Sequence, residues 1–180
     1  MLQGRKSVEH CRSRPALHGL KPMPLQPLLE EISHHHFPNP PATPEEVEEF
    51  ERRVGWRLDP DLRAFYLHCN GGTLFKRRLD ANYRVLPLSE IVRARVVIFG
   101  EDKNEDGPAS MHAICDLQDG DYVLVDVGRQ EDGRYPIMDG WHEAWPNPRH
   151  CKQIARSFEE FLERALRSGG SFFWLKKSEN

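Results

Sequence analysis

The alternation of hydrophobic and polar positions is most regular over residues 43–75, where it predicts two successive helices followed by a strand. Thr43 and Glu46 have the three-residue spacing of a capping box, which marks the start of the first helix. Gly55 can adopt the left-handed conformation that ends a helix. Between these signals, one apolar helical face is formed by Val47, Phe50 and Val54.

The second helix shows the same succession of start signal, apolar face and end signal. Asp59 is a favourable N-cap and Pro60 suits the first helical position. An Asn-Gly-Gly turn at residues 70–72 ends the helix, and residues 74–75 begin an extended segment. The apolar face of this helix is formed by Leu62, Phe65, Tyr66 and Cys69.

The remaining pattern predicts an α+β domain. A short amphipathic helix is predicted over residues 25–32, a second short helix near Ser89, and a last helix that Ser157 caps. Strands are predicted over residues 83–86, 96–99, 111–116, 122–127 and 135–138. Short turns between consecutive strands imply mostly antiparallel pairing, so we expect a mostly antiparallel sheet with helices packed mainly on one face.

The motif over residues 43–75 resembles the SUKH superfamily, which includes the fungal Smi/Knr cell-wall regulators and many bacterial immunity proteins. The positions that carry the resemblance are Phe50, Glu51, Gly55, Leu58, Pro60, Phe65, Tyr66, Asn70, Gly71 and Gly72. Weaker matches follow at residues 83–88, 114–116, 120–123 and 157–162, so the resemblance covers residues 26–175. It implies the same α+β architecture and a protein-binding domain that is not an enzyme.

Size and composition are those of one globular domain. The chain has 180 residues, of which 38% are hydrophobic and 29% are charged, typical of a protein with a polar surface. No apolar run approaches the length that spans a membrane, so we expect no membrane partner. The first residues lack the apolar core of a secretion signal, and we therefore expect a cytoplasmic protein.

Charge is distributed unevenly along the chain. Residues 1–22 carry a net charge of +4 and the whole chain −3, so residues 23–180 carry −7. An acidic body favours a basic protein partner over nucleic acid. We expect residues 23–180 to form a single SUKH-like domain. Residues 1–22 are expected to be either a disordered basic extension or the product of a mis-called start, since the sequence from Met23 onwards is typical of a protein start. A nucleic-acid-binding arm is a further interpretation of these residues.

Residue patterns for catalysis and for metal binding are absent from the sequence. The four cysteines have no CxxC spacing, and buried free thiols are the simplest interpretation. Residues 34–36 are consecutive histidines, whose side chains do not converge on one ion without an unusual backbone. Neither a GxSxG motif nor a phosphate-binding loop occurs. We therefore predict no catalytic residues, no metal and no cofactor.

Acidic loops and loop tryptophans are the remaining candidates for a partner-binding surface. The acidic side chains are Asp102, Glu105, Asp106, Asp119, Asp121, Glu131 and Asp132, and the tryptophans are Trp141 and Trp145. Solvated turns are one interpretation of the carboxylates, and an acidic rim that steers a basic partner is the other. Each tryptophan either anchors an interface or covers the core.

Two functional hypotheses follow from the resemblance and from these residues. The first is a bacterial immunity protein that neutralises a cognate toxin by direct contact, the toxin being a basic protein such as a nuclease. The alternative is a regulatory scaffold of the Smi/Knr type. An enzyme is the third and least supported hypothesis, because the sequence lacks a catalytic constellation. The oligomeric state does not follow from the sequence.

Overall fold

The computed structural model describes residues 24–77, 80–118, 120–147 and 150–175. The predictions for residues 1–22 lie outside these ranges. Within them, the helices are α1 (Leu25–His35), α2 (Pro44–Val54), α3 (Pro60–His68), α4 (Ala94–Phe99) and α5 (Phe158–Arg167). The strands are β1 (Phe37–Pro38), β2 (Gly72–Leu74), β3 (Tyr83–Val85), β4 (Met111–Asp116), β5 (Tyr122–Asp126), β6 (Ile137–Gly140) and β7 (Gln153–Ala155).

All seven strands form one sheet in which spatial order equals chain order, from β1 to β7, and every neighbouring pair is antiparallel. In this meander, each connection places the next strand directly beside the preceding one. The predicted α+β fold with a mostly antiparallel sheet is therefore confirmed.

The helix starts are built as the sequence predicts. The Thr43 hydroxyl accepts from the Glu46 amide at 3.2 Å, and the Glu46 carboxylate accepts from the Thr43 amide at 2.8 Å. Asp59 caps α3 through the Leu62 amide at 2.9 Å. These bonds satisfy amides that have no partner within the helix, so local residues alone define both starts.

The core lies between the helices and one face of the sheet. Because side chains alternate along a strand, paired positions place a buried row of residues on the helix side: Leu74, Tyr83, Val85, Cys115, Val123, Val125 and Ile137. Phe65 of α3 packs against Phe158 of α5 with ring centroids 5.0 Å apart, and Phe161 lies 6.2 Å from Tyr83. The apolar segment at residues 172–174 packs on this core beside Tyr83.

Two strand predictions were wrong. Residues 96–99, predicted as a strand, belong to helix α4, which ends at the left-handed Gly100. A short apolar run has no decisive periodicity, and here tertiary contacts of the helix decide its conformation. The strand predicted at residues 135–138 begins two residues later, because the Tyr135 amide donates to Asp59 instead of entering the sheet. Strands β1 and β7 were not predicted.

Candidate protein-interaction surface

Two of the three acidic loops lie at the same end of the sheet. The first loop precedes β4 and the second follows β5, and these strands are antiparallel neighbours. The loops also touch, since the Val127 amide donates to the Ser110 carbonyl at 3.0 Å. The acidic end, as we call this surface, comprises Asp102, Glu105, Asp106, Glu131 and Asp132.

A buried arginine holds the first acidic loop from inside. Arg95 of α4 is only 3% exposed, although its guanidinium carries a full charge. Its Nε donates to Asp102 at 2.5 Å, and its Nη1 donates to the Asn104 side chain at 2.9 Å and to the Gly107 carbonyl at 3.1 Å. One side chain therefore fixes three points of the loop.

Trp145 is the second support of this loop. The indole is 6% exposed, and its Nε1 donates to the Asp106 carbonyl at 2.7 Å. Gly107 lies so close that a Cβ there would sit 2.6 Å from the Trp145 ring. Trp145 thus belongs to the buried part of the fold and positions the loop, which corresponds to the second of the two interpretations offered for the tryptophans.

The carboxylates of the acidic end differ in what they contact. Asp102 forms ion pairs with Arg93 at 2.7 Å and with Arg95, and the hydrogen bond from Arg95 is the main reason that the pKa of Asp102 is lowered. Glu105, Asp106, Glu131 and Asp132 have no ion-pair partner among the residues that the structure describes. Of these four unpaired carboxylates, Asp106 is half-buried and the other three are exposed.

Two arginines beside the acidic end are paired with carboxylates that lie deeper in the fold. Arg134 donates to the buried Asp61 at 2.5 Å, and Arg129 donates to Asp126 at 3.1 Å. The turn that carries Glu131 and Asp132 is closed by backbone bonds between Glu131 and Arg134 of 2.8 and 2.9 Å. Glu105, Glu131 and Asp132 remain exposed and without an ion-pair partner among the described residues, while the exposed Lys103 of the first loop is paired with Glu101.

The third acidic turn lies at the other end of the sheet. Asp121 precedes β5, and a five-residue strand is about 15 Å long. His142 binds Asp121 through its ring Nδ1 at 2.7 Å and through its amide at 3.0 Å. The adjacent Trp141 is 44% exposed. The predicted site residue Asp119 lies outside the described residues. The structure therefore does not bring all predicted site residues into one surface.

Arg95 was missed by sequence reasoning. It is the single charged residue of the otherwise apolar run at residues 94–99, and such a residue is a signal for a buried ion pair. The prediction of a strand over residues 96–99 concealed the signal, because it separated Arg95 from the helix that presents it to the loop.

A buried histidine joins the acidic end to the helical layer. His112 of β4 is 3% exposed, and its Nε2 accepts from the Trp56 indole at 3.2 Å. Its Nδ1 lies 3.3 Å from the Ser110 carbonyl and donates to it in the neutral tautomer that the indole bond requires. Burial lowers the pKa of His112 below its ordinary value of 6.5, so the folded protein favours the neutral ring.

We expect the free energy of unfolding to decrease as the pH falls below the ordinary histidine pKa of 6.5. Below this pH the unfolded chain takes up a proton on His112 that the folded protein does not. The stabilisation from neutral His112 is therefore complete above the unfolded pKa and is lost as the pH falls through the lower pKa of the folded state. Urea unfolding at about pH 7.5 and about pH 5.5 measures the difference.

The control for this pH dependence is His112→Gln, which keeps an acceptor for the Trp56 indole but does not titrate. His36 also has a lowered pKa, whereas burial raises the pKa of Asp139 to about 6, and both contributions remain in the variant. The variant should therefore show a smaller loss between the two pH values. An equal loss in both proteins would show that His112 does not titrate as described.

No group of histidine, cysteine, aspartate or glutamate side chains among the described residues is arranged to hold a metal ion. No described helix is long and apolar enough to cross a membrane. The thiols of Cys69, Cys115 and Cys151 are buried and free, and burial raises the pKa of Cys69 to about 12. Cys69 is thus protonated at neutral pH.

One comparison with known proteins identifies a family. The model of the SMI1 / KNR4 family (SUKH-1) matches residues 41–164, which is more than half of the chain. The match extends from the residues before α2 into α5 and includes the whole acidic end. No curated protein sequence matches the chain.

Proposed function

The chain belongs to the SMI1 / KNR4 (SUKH-1) family, and from this premise we propose that its acidic end binds and neutralises a basic protein. Family membership supports a protein-interaction or immunity-type domain in general. Our more specific proposal is a bacterial, cytoplasmic immunity protein whose partner is a cognate toxin, in particular a nuclease. It acts by contact and without catalysis.

The observation that carries this proposal is the internal support of the acidic loop. Arg95 and Trp145 hold the backbone from inside, while Glu105 and Asp106 have no ion-pair partner among the described residues. A surface that is already ordered loses little conformational entropy on binding, which favours affinity. Exposed carboxylates also attract a basic partner over a distance and accelerate encounter.

A nuclease fits this surface because its active site binds phosphate groups. Such a site presents positive charge, and carboxylates placed on a fixed loop can occupy it in place of phosphates. Free nucleic acid is not the partner that we propose, since unpaired carboxylates repel a phosphate backbone.

We expect the double variant Glu105→Lys/Asp106→Lys to slow association with the basic partner about tenfold or more, because steering depends on exposed charge. Binding of the wild type should weaken as salt rises, and the variant should lose most of this dependence. The measurement is surface plasmon resonance with the protein that co-purifies from the native host, or with the product of the adjacent upstream gene.

A matched control is Glu48→Lys/Glu49→Lys, which makes the same change of charge on the exposed face of α2. It should leave the association rate within about twofold of the wild type at physiological salt. Asp102 is not suitable for this test, because its loss also removes ion pairs with Arg93 and Arg95. Association that ignores both salt and the loop substitutions would refute the electrostatic contact.

A regulatory scaffold of the Smi/Knr type is the second candidate, because the sheet carries a separate groove on the face away from the helices. A scaffold binds several partners, whereas an immunity protein binds one toxin and protects cells that produce it. Co-purification and a toxin-protection assay distinguish these outcomes.

A further inference from the structure

A groove of about 620 Å³ opens where β1, β2 and β3 meet the loops beside them. Thr73 and Arg84 are directly paired across β2 and β3, on the face opposite the buried Leu74 and Tyr83. The volume lies in the range of ligand-binding clefts. Its walls come from Phe37, Pro38, Arg77 and Pro87.

The wall of the groove carries a cation that is not neutralised. The Arg77 guanidinium stacks over the Phe37 ring, 5.0 Å from its centroid. No carboxylate of the described chain lies within ion-pair distance of Arg77, whereas most of the described arginines are ion-paired. Stacking on the ring orients the guanidinium and leaves its N–H groups for an acceptor.

The floor of the groove supplies fixed donors. Arg84 donates to Asp116 from Nε at 3.2 Å and from Nη2 at 3.0 Å, and to Glu90 from Nη1 at 2.6 Å. A guanidinium has five N–H groups, so two remain on a side chain that is 22% exposed. Because two carboxylates already balance its charge, Arg84 suits a neutral carbonyl oxygen better than a second anion.

The groove also contains carboxylates, namely Glu90, which is bonded to Arg84, and the exposed Asp80. Its lining charge is therefore balanced, and a ligand of high negative charge, such as nucleic acid, is disfavoured. The groove therefore suits a ligand with three kinds of group. Arg84 in the floor binds carbonyl oxygens, the walls contact apolar groups, and Arg77 binds one acidic group.

We propose that this groove binds an extended peptide segment of a protein partner, with one acidic side chain on Arg77 and backbone carbonyls on Arg84. An extended peptide supplies carbonyls along its length and places alternate side chains on opposite sides, as the mixed lining requires. Apolar side chains next to the acidic one contact Phe37, Pro38 and Pro87. This site is separate from the acidic end, and its ligand has the opposite charge.

The test is selection of a phage-displayed random dodecapeptide library on the immobilised full-length protein. We expect the enriched peptides to share an aspartate or glutamate beside apolar residues. A synthetic peptide of the consensus, blocked at both ends and fluorescently labelled, then gives dissociation constants by fluorescence anisotropy. Arg77→Glu should weaken binding of this peptide at least tenfold, because the new carboxylate would face the acidic side chain of the peptide.

Two further variants separate charge from geometry. Arg77→Lys keeps the charge but loses the planar guanidinium that stacks on Phe37, so its effect should be intermediate. Arg57→Glu is the matched control, because Arg57 is also exposed and lies outside the groove. It should leave peptide affinity unchanged. Arg77 is exposed at a loop, so none of these substitutions removes a core contact.

The proposal is overturned if no peptide is enriched over an unrelated protein, if the enriched peptides lack an acidic residue, or if Arg77→Glu binds them as well as wild type. If free glutamate displaced the blocked peptide at equal concentration, the ligand would instead be a small carboxylate. That result would also contradict the proposal. Glu105→Lys/Asp106→Lys should leave peptide binding intact, so the result is independent of the function proposed for the acidic end.

Discussion

Substitution of Gly71 by alanine should lower the free energy of unfolding by about 3 kcal/mol or more, which places it among the most damaging single changes. Gly71 has a φ of 79°, and a Cβ would sit 2.6 Å from the Val85 carbonyl oxygen and 2.8 Å from the Pro87 nitrogen. Both neighbours are backbone atoms of the chain leaving β3. Relief of the clash therefore requires a shift of the sheet, because no side chain can rotate away.

Gly55 is the matched control for this substitution. It has the same φ of 79°, but a Cβ there would have nothing within 4 Å. Gly55→Ala should therefore cost about 1 kcal/mol, the usual penalty of a left-handed alanine. Urea unfolding followed by circular dichroism measures both variants. Equal losses at the two glycines would show that the close approach of Gly71 to β3 has no energetic weight.

The Asn-Gly-Gly segment, which follows the end of α3 at His68 and runs into strand β2, is a tertiary junction. The Asn70 side chain accepts from the Leu88 amide at 2.9 Å, and its backbone amide donates to the Pro40 carbonyl at 2.9 Å. Gly72 approaches the Phe37 carbonyl so closely that a Cβ would lie 2.6 Å away. Three separated segments thus meet at one turn, and only residues of this type fit there.

Arg95→Met is the second change with a large expected effect. Methionine fills the buried stem but removes the donors to Asn104 and to the Gly107 carbonyl, so we expect a loss of about 2 kcal/mol in unfolding free energy. The loop amides at residues 101–107 should exchange with solvent much faster, because the loop loses its inner support. Hydrogen exchange followed by mass spectrometry reports on the loop, and urea unfolding on the whole domain.

Arg93→Met is the control for this prediction. Arg93 also pairs with Asp102, at 2.7 Å, but its side chain is 38% exposed and makes no hydrogen bond to Asn104 or Gly107. Solvent screens such a pair, so stability and loop exchange should change much less than in Arg95→Met. If the two variants behave alike, the loop is not held by Arg95 in the way that its three bonds indicate.

Arg95→Met also connects stability to the proposed function. The variant keeps Glu105 and Asp106, so the charge that attracts a basic partner is retained. Loss of the fixed loop should then increase the dissociation rate more than it decreases the association rate, since ordering of the loop must be supplied on binding. Glu105→Lys/Asp106→Lys should instead decrease the association rate more than it increases the dissociation rate.

Sequence patterns predicted the parts of the fold that depend on near neighbours. The caps at Thr43, Asp59 and Ser157 and the helix end at Gly55 all form as expected, because each needs only residues within four positions. Residues 96–99 were assigned wrongly, since their conformation depends on Arg95 meeting a loop that lies later in the chain. The two-residue β1 is too short to leave a pattern.

The acidic loops were identified from sequence, but their arrangement was not. From sequence alone, Asp102 and Glu105 are both acidic loop residues with the same predicted role. In the structure, Asp102 pairs with two arginines whereas Glu105 is exposed. It likewise separates the buried Trp145 from the exposed Trp141. The Trp145 indole is buried against the Asp106 backbone, 39 residues away in the chain, whereas Asp102 is paired by arginines seven and nine residues before it.

The family, the capped starts of three helices, the mostly antiparallel pairing and the acidic character of the loops all follow from the sequence. Caps form between near neighbours, short turns return a strand antiparallel, and charge is a property of composition. The three-dimensional fold was needed to show which carboxylates are unpaired, that Arg95 supports the first loop, and that Arg77 and Phe37 form the wall of a groove. Packing of the whole domain brings Phe37 beside Arg77, and the conformation of helix α4 and the loop after it brings Arg95 to Asn104, which no local pattern of the sequence encodes.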